Sequence, residues 1–473
     1  MSDEEHEDPA TDQPTMPYVG RAQYIPAEGF STARLFGSAS FFRLWLAQVA
    51  SSLGDWIGFV ALTALATRVG GGSPEAAVGL VLSARLVPGF FLAPVAGVLV
   101  DRWDRKKVMV ACDVGRGLVV ATLPWVDSVA GLVVASLLLE IFTLLWAPAK
   151  EASVPRLVPT HYLATANSLS LVAAYGTFPV GSAVFALLAG VAVFLGRYEA
   201  LSGLRVDQEF VALYFDVGTF FVSAALISTL RLPRRRTEAD DAPRGIDLGV
   251  AVREVQEGFA FIGQSRLIRA VMLAIATGLI GGGMLVPLGP RFARDTLGGG
   301  SASFGLLLTA LGIGVAGGIL GLSVIQRRLP HLKVFVVAVF GAGLSILAGA
   351  AMSDLRPALF FVSLLGVFAG AIYVLGFTII QTTVADELRG RVFATLYTMV
   401  RFCLLLAFAI APFLASLLDT LSQRLAGRHV QLGGLDISVP GTRLTLWLGG
   451  LIILAAGVLA LAVMRERPEK EPT

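Results

Sequence analysis

The sequence predicts an all-α membrane protein whose twelve transmembrane helices form two related six-helix bundles. The first observation is composition: of 473 residues, 55% are hydrophobic and 15% are charged, more apolar surface than a water-soluble fold can bury. The second is a series of twelve apolar windows, each of about 20 residues. The third is a charged segment, Gly97–Lys107, whose degenerate copy begins 224 positions later at Gly321. This recurrence indicates a duplicated bundle, an arrangement typical of transporters.

In chain order, residues 1–40 form a polar tail, acidic at its start, that we expect to be disordered and cytoplasmic. A secretory signal would begin with positive charge, so the tail is not one. The N-terminal six-helix bundle is predicted over 41–230 and the C-terminal bundle over 268–464. Between them, 231–267 is predicted as a cytoplasmic linker with an amphipathic helix at the membrane surface, and 465–473 as a cytoplasmic tail.

The predicted spans are numbered one to twelve in chain order. They cover residues 41–67, 77–100, 107–126, 130–147, 165–194, 211–230, 268–289, 303–326, 333–351, 357–382, 393–418 and 442–464. The loops on the side of the chain termini hold 22 Lys and Arg residues, and the loops on the other side hold 9. The positive-inside rule therefore predicts that both termini are cytoplasmic.

Other classes of protein are excluded by what the sequence lacks. The net charge of +3 is too small and too dispersed to suggest nucleic acid as a partner. Cys112 and Cys403 fall in predicted helices, and the four histidines fall in loops or tails, so neither a disulfide framework nor a buried metal site is expected. No enzyme motif is present, and no nucleotide-binding loop. We therefore expect a non-enzyme without cofactors, driven by an ion gradient or by the gradient of its substrate.

A family resemblance begins with the segment GVLVDRWDRKK. It resembles the loop signature of the major facilitator superfamily, Gly-x-x-x-Asp-Arg-x-Gly-Arg-Arg/Lys. The positions of this signature are filled by Gly97, Asp101, Arg102, Arg105 and Lys106. Asp104 stands where the signature has its second glycine, so we expect a weaker tight turn there, although aspartate tolerates turn geometry.

Four further segments narrow the resemblance to macrolide-efflux and enterobactin-exporter proteins: Phe41–Trp56, Pro148–Pro159, Tyr214–Ala224 and Asp386–Tyr397. The resemblance covers about residues 41–464. It implies the major facilitator fold, in which spans one, four, seven and ten line a central cavity. It also implies that the signature is a cytoplasmic latch that joins the bundles while the outside is open. The alternative is that its basic residues only anchor the loop at the cytoplasmic face.

Charges inside the spans are the sharpest functional signal. Of 71 charged residues only eight fall within spans beyond their first two positions: Arg43, Asp55, Arg85, Asp113, Arg116, Glu140, Asp216 and Arg401. Placing a charged side chain at the centre of a membrane span costs about 2.5–3.5 kcal/mol on insertion scales unless the charge is paired or hydrated. The eight residues are therefore candidates for function.

Two carboxylates are the candidates for proton coupling or substrate binding. Asp55 lies in a stripe of span one that also contains Gln48, Ser52, Phe59 and Thr63, and the resemblance implies that this stripe faces the substrate. Glu140 lies near the middle of span four, with Thr143 one turn away on the same face. Either carboxylate could exchange a proton near neutral pH or bind a cationic group of the substrate. The alternative is a structural pairing of each with Arg85 or Arg116.

The remaining charges are predicted to be interface or gate residues. Asp113 and Arg116 are three residues apart and are expected to pair on one face of span three. Asp216 is expected to serve packing or gating near the outer end of span six. Because spans two and eleven usually meet across the moving interface of the superfamily, Arg85 and Arg401 are candidates for a gate or for charge partners. Arg43 is expected to reach the lipid head groups.

Uncharged residues add weaker signals. Tyr373, Thr378 and Gln381 of span ten are candidate hydrogen-bonding groups of the cavity, with helix–helix packing as the alternative. Span eight carries glycines at small-xxx-small spacing, which predicts close helix packing: Gly314, Gly317, Gly318 and Gly321. Pro179 predicts a kink in span five. The outer loops at 195–210 and 419–443 are expected to form small hairpins of unassigned role.

Together these features predict a proton-coupled exporter, an antiporter of the cytoplasmic membrane that works by alternating access. The resemblance implies an amphiphilic small-molecule substrate of the drug, macrolide or siderophore class, and hence a role in efflux and drug resistance. Membrane lipids are the other expected partners, and we expect a monomer. The alternatives are a lysophospholipid flippase on the same scaffold and a scaffold or receptor that has lost transport.

Overall fold

The computed structural model describes residues 36–159, 162–195, 208–230, 263, 265–325, 330–384, 386–426, 429–432 and 435–465. Several predicted features lie outside this part of the chain: the tail up to residue 35, the amphipathic linker helix, most of the first outer loop and the residues after 465. The side chains of Asp101 and Arg102 also lie outside the description, although both residues belong to a helix.

The twelve predicted spans are confirmed: the described residues form twelve segments that are long and apolar enough to cross a membrane. In order, the helices are Ala39–Val69, Pro74–Arg102, Arg105–Thr122 with the turn Leu123–Trp125, Val129–Glu151, Leu163–Tyr175 with Thr177–Leu195, Gln208–Ser228, Arg266–Gly283 with Leu285–Arg291 and Phe292–Thr296, Ser301–Ile325, His331–Ala351, Leu355–Thr383, Asp386–Ala426 and Gly441–Arg465. A short helix, Val154–Leu157, follows span four.

The spans pack as two groups of six. In the first group, span six packs on spans one and three, and span four packs on spans two and three. In the second group, span ten packs on spans eight and nine, and span twelve packs on spans seven and nine. Spans five and eight, and spans two and eleven, make the main contacts between the groups. We call the face where span one begins and span twelve ends the terminal face, and the other the distal face.

Glycine in span eight permits a close approach to span ten. A Cβ atom at Gly314 would overlap the carbonyl oxygen of Ser363, and one at Gly318 would overlap that of Val367. The predicted close packing is therefore confirmed at these two glycines, and it lies within the C-terminal bundle. At Gly317 and Gly321 a Cβ would meet no described atom within 4 Å.

Span five is interrupted where its proline predicts a kink. One helix ends at Tyr175, Gly176 follows, and the next helix begins at Thr177. Pro179 has no N–H to donate to the carbonyl of Tyr175, so the helical hydrogen-bond ladder is broken one turn before the proline. The kink is confirmed.

A β-hairpin follows span eleven at the distal face, as expected for the second outer loop. Strand β1, His429–Leu432, pairs antiparallel with β2, Leu435–Ser438. The buried guanidinium of Arg443 donates to the carbonyl oxygen of Ser438 and, across 2.9 Å, to that of Met352. The hairpin is thereby fixed to the end of span nine.

Candidate functional site

Five of the eight charges inside the spans come together in the N-terminal bundle. Span one contributes Asp55, span two Arg85, span three Asp113 and Arg116, and span six Asp216. We call these five side chains the polar core. Because a charge in hydrocarbon is expensive, their mutual attraction offsets part of the cost of removing each from water.

Arg116 is the centre of the polar core and is only 1% exposed. Its Nη1 donates to Asp55 Oδ2 across 2.9 Å, and its Nη2 donates to Ser51 Oγ across 3.0 Å and to Asp113. Its Cζ lies 4.6 Å from the ring centroid of Phe220, a distance that adds a cation–π attraction. One guanidinium thus links spans one, three and six.

Asp113 is fully buried and has hydrogen bonds on both carboxylate oxygens. Oδ1 is paired with Arg116 and lies 3.4 Å from Ser51 Oγ. Oδ2 accepts from Ser223 Oγ across 2.7 Å and from Trp146 Nε1 across 3.3 Å. The predicted pair on one face of span three is confirmed, and its hydrogen bonds tie together spans one, three, four and six.

Asp55 is paired rather than isolated. In addition to its 2.9 Å contact with Arg116, its Oδ1 lies 4.0 Å from Arg85 Nη2. The Asp55 side chain is 28% exposed. This geometry matches the alternative interpretation, in which a structural carboxylate is compensated by buried arginines.

Two other residues of the predicted span-one stripe are buried against protein. Gln48 Nε2 donates across 2.9 Å to the carbonyl oxygen of Ser170 in span five. Thr63 is fully buried and donates to the carbonyl oxygen of Phe59 across 2.7 Å. In this conformation both serve helix packing, so the assignment of Gln48 to the substrate cavity has no support from the geometry.

A small cavity adjoins the polar core. It is lined by Asp55, Gly58, Arg85, Val120, Leu123, Leu139, Asp216 and Phe220. Its free space holds about one water molecule, far less than a drug-sized ligand needs. The cavity is therefore suited to a water or a proton path and not to the substrate.

Glu140 differs from the acids of the polar core. It is half-buried in span four and makes no hydrogen bond or ion pair with the described residues. Its nearest compensating charges are Arg85 of its own bundle and Arg401 of the other bundle, which act on it only through space. The neighbouring Thr143 hydroxyl donates to the Leu139 carbonyl across 2.9 Å. Glu140 is therefore a carboxylate without a contact partner at the interface between the bundles.

Aromatic side chains of spans ten and eleven form an exposed wall. Tyr373 is 54% exposed, and its ring lies 4.4 Å from that of Phe377, which lies 5.2 Å from Phe393. Tyr397 is also exposed, and its ring lies 6.2 Å from Phe377. Tyr373 lies close enough to the exposed Tyr175 of span five for their ionised forms to repel each other, so the wall faces the N-terminal bundle.

The other polar residues of span ten lie nearer the terminal face. Gln381 is exposed, in accordance with a place at the cavity entrance. The Thr378 hydroxyl donates to the carbonyl oxygen of Val374 across 2.8 Å, so its donor is used within the helix.

An ion cluster joins the two bundles at the distal face. Arg291, at the end of span seven, pairs with Glu75, the second residue of span two. Arg291 Nε lies 2.8 Å from Asp295 Oδ2, and Nη2 lies 3.9 Å from Asp419 Oδ2 of span eleven. We call these four residues the distal cluster. Since Glu75 belongs to the N-terminal bundle and the others to the C-terminal bundle, the cluster closes the distal face.

A second polar contact supports this closure. Ser301 Oγ, at the start of span eight, donates to Glu209 Oε1 of span six across 2.8 Å. In the sequence these residues stand in outer loops and at span ends, where water solvates a charge at little cost and the charge gives no functional signal. Their pairing depends on how the bundles meet, which no local pattern in the chain reveals.

Close backbone packing between the bundles lies between the distal face and the membrane centre. Gly305 of span eight packs against Phe185 of span five, and Gly312 packs against Pro179. The bundles are thus held together over their distal halves.

The charged signature at the terminal face makes its described bonds within one bundle. Arg105 donates to the carbonyl oxygen of Ala152 across 2.7 Å, and Lys106 Nζ donates to that of Leu230 across 2.9 Å. These acceptors lie at the ends of spans four and six. The two basic residues thus bond to helix ends of their own bundle, whereas the latch between bundles stays a prediction for the conformation with a closed terminal face.

Asp104, which replaces the second glycine of the signature, caps the helix of span three. Asp104 has φ −68° and ψ 110°, an extended conformation open to any residue. Its Oδ1 accepts from the backbone N–H of Lys107 across 3.1 Å at the start of span three. The expected weakening of the turn was wrong, because the turn does not need glycine and the aspartate adds a hydrogen bond.

Comparisons with known proteins agree with this architecture. Residues 31–410 match the family described as transmembrane secretion effectors. A transporter of the major facilitator type from Bacillus subtilis, YfiS, is 26% identical over 382 residues, which are 77% of this chain and 84% of the relative. The multidrug efflux pump Tap of Mycobacterium tuberculosis is 25% identical over 361 residues, or 74% of this chain and 81% of the pump.

Solved structures share the fold at low identity. A bacterial homologue of the human lysosomal transporter Spinster, inward-facing and unoccupied, superposes with a TM-score of 0.71 at 15% identity over 90% of this chain and 97% of the homologue. The nucleoside transporter NupG superposes with a TM-score of 0.64 at 13% identity over 91% of this chain and all of its own.

Proposed function

Because the chain belongs to the transmembrane secretion effector family of major facilitator transporters, we propose that it exports an amphiphilic small molecule in exchange for protons. The site of exchange is the cytoplasmic (plasma) membrane, with both termini in the cytoplasm. Efflux is also the activity named for the relative Tap, which supports this direction of transport.

The observation that carries the proposal is the unpaired carboxylate of Glu140. Every acid of the polar core is buried or paired, whereas Glu140 lies between Arg85 of one bundle and Arg401 of the other without touching either. A carboxylate in such a place can be neutralised by a proton or by a cationic group of a substrate. Because both compete for the same charge, the binding of one favours the release of the other.

The exposed aromatic wall supports an amphiphilic substrate with a positive charge. Tyr373 and Tyr397 offer ring faces toward the space between the bundles, and Tyr175 faces them from span five. Aromatic faces bind apolar surface and attract cations. Aromatic surface for the apolar part and the Glu140 carboxylate for the charge are the two kinds of contact that a lipophilic cation requires.

The cycle that follows uses the closure of the distal face. In the structure described, the distal cluster joins the bundles, so a substrate reaches Glu140 from the terminal, cytoplasmic face and displaces a proton. Rocking of the bundles then breaks the distal cluster and opens the outer face. There a proton from the medium displaces the substrate, and the protonated carrier returns.

Transport in proteoliposomes tests this proposal. The purified chain is reconstituted, and movement of the fluorescent cation ethidium is followed with an imposed pH gradient, with and without an uncoupler. We expect gradient-driven movement that the uncoupler abolishes and that Glu140→Gln removes. Glu151→Gln, the same substitution at an exposed position of the same helix, should leave transport intact.

The same vesicles separate the alternatives. If a fluorescent lysophospholipid crosses the membrane in a protein-dependent manner and ethidium does not, the protein is a flippase. If neither probe moves, the protein is a scaffold or receptor. Ethidium transport that persists unchanged in Glu140→Gln would contradict the proposed role of this carboxylate.

A further inference from the structure

Asp216 is a buried carboxylate with very little compensation. It is 1% exposed on span six and forms no ion pair in the described part of the chain. Its one side-chain partner is the Thr219 hydroxyl, whose oxygen lies 3.2 Å from Oδ1. The same hydroxyl oxygen lies 2.7 Å from the carbonyl oxygen of Asp216, which is the closer acceptor. The hydroxyl has one hydrogen for two acceptors and the carbonyl oxygen is the nearer, so the carboxylate receives at most a weak, shared hydrogen bond.

The charges of the polar core do not balance. Three carboxylates, Asp55, Asp113 and Asp216, share two guanidinium groups, Arg85 and Arg116. Arg116 contacts both Asp55 and Asp113, and the nearest acid to Arg85 is Asp55. Asp216 thus carries the excess charge, and an uncompensated buried carboxylate becomes neutral by binding a proton when it can.

The packing around Asp216 leaves room for a proton but not for a hydrated ion. Its carboxylate oxygens lie directly on the backbone of span one, where a Cβ at Gly54 would overlap Oδ1 and one at Gly58 would overlap Oδ2. A sodium or calcium ion would need several oxygen ligands around it. The water-sized cavity that Asp216 shares with Asp55 and Arg85 offers a path for a proton.

We propose that Asp216 is a proton-binding site that is occupied in the conformation with a closed distal face. The added proton stays on the Asp216 carboxyl group, which donates a hydrogen bond to Thr219 Oγ1, while the Thr219 hydroxyl donates to the Asp216 carbonyl oxygen. A hydronium ion from the medium delivers the proton through water in the small cavity. One O–H bond of that ion breaks as the carboxyl O–H bond forms, and deprotonation reverses the step.

The charged groups that face Asp216 define the response to its deprotonation. Asp55 approaches from span one, Arg116 from span three and Arg85 from span two across the cavity. Arg116 is held by its two acids, whereas Arg85 has only a 4.0 Å contact with Asp55. Loss of the proton therefore draws Arg85 toward Asp216. Span two packs on span eleven of the other bundle, so this movement reaches the interface.

This inference adds a second proton site to the proposed function, and its test needs neither substrate nor a gradient. Infrared spectra of the purified full-length protein are recorded for the C=O stretching band of a protonated carboxylic acid. At neutral pH the wild type should show this band with contributions from Asp216 and Glu140, and Asp216→Asn should remove the Asp216 contribution. The exposed variant Asp354→Asn should keep it. Glu140→Gln should also retain the Asp216 band, so failure of the transport proposal would not affect this result.

Isotope labelling keeps the test valid if Asp216→Asn does not fold. Wild-type protein with carboxyl-labelled aspartate should show a shifted band, and protein with labelled glutamate should retain a band at the original position. No protonated band in the wild type, a band shifted only by labelled glutamate, or a band unchanged in a folded Asp216→Asn would overturn the proposal. Loss of the band on addition of sodium at constant pH would also overturn it, in favour of a metal-ion site.

Discussion

Arg401 of span eleven donates a hydrogen bond from Nη1 to the carbonyl oxygen of Gly89 in span two, 3.1 Å away. This bond crosses the interface between the bundles near the membrane centre. A Cβ at position 89 would lie 2.6 Å from the same nitrogen, so the absence of a side chain allows the approach. The expectation that spans two and eleven meet and place an arginine between them is confirmed.

Gly89→Leu should displace the guanidinium from this interface. A hydrogen bond to a charged group contributes about 1.5–3 kcal/mol, and its loss should slow ethidium transport about tenfold or more. Vesicle transport assays at matched protein amounts measure the effect. Gly190→Leu is the matched control, because position 190 is exposed and a Cβ there meets no described atom within 4 Å. Equal transport by both variants would show that the Arg401 contact is dispensable.

The distal cluster should set the balance between the two conformations. Glu75→Gln removes the charge with which the N-terminal bundle holds Arg291, so the population with an open distal face should rise about tenfold for each 1.4 kcal/mol lost. Spin labels at Gly72→Cys and Asp354→Cys report the distance between the bundles at this face. Asp295→Asn is the control, since its bond to Arg291 lies within one bundle and should shift the distances less. An unchanged distance distribution in Glu75→Gln would refute a gating role for the cluster.

The pair of Asp113 and Arg116 should be essential for stability. Removal of one partner of a buried pair typically costs about 3–5 kcal/mol, because the other charge loses compensation, and Arg116 would retain only Asp55. Asp113→Asn should therefore lower the thermal unfolding temperature in detergent strongly. Asp354→Asn, at an exposed position, should leave that temperature within error. An Asp113→Asn protein as stable as the wild type would show that Asp55 alone compensates the charge of Arg116.

The cytoplasmic latch predicted from the charged signature concerns the other conformation. Asp101→Asn should weaken closure of the terminal face and raise the population in which that face is open. Labels at the exposed positions Lys107→Cys and Lys333→Cys measure the separation of the bundles there. Glu151→Gln, on the same face, is the control. If Asp101→Asn leaves this separation unchanged under conditions that open the distal face, the signature only anchors the loop.

The sequence was a good guide wherever a local pattern decides the outcome. Apolar length sets the spans, Pro179 sets the break in span five, and a spacing of three residues brings Asp113 and Arg116 together. It was a poorer guide to pairing between helices. Whether Asp55 meets a substrate or Arg116 depends on the rotation of span one against span three, and the polar stripe of span one alone does not define that rotation.

The distal cluster and the isolation of Asp216 were beyond sequence analysis for different reasons. Glu75 and Arg291 lie at span ends, where water solvates their charges at little free-energy cost. Neither residue therefore stands out in the sequence. Asp216 was predicted to serve packing or gating, but the depth at which Gly54 and Gly58 receive its carboxylate is known only from the packed helices. Once the packed helices show which residues share the polar core, the excess of three acids over two arginines identifies Asp216 as the uncompensated carboxylate.

The most direct test of the central claim is to measure protons released when the substrate binds to the purified protein. In weakly buffered solution at neutral pH, addition of ethidium to the wild-type protein should release protons into the medium. Glu151→Gln should behave like the wild type, and Glu140→Gln should release none and bind ethidium more weakly. Binding without proton release by the wild type, or equal release by Glu140→Gln, would contradict competition between proton and substrate at Glu140.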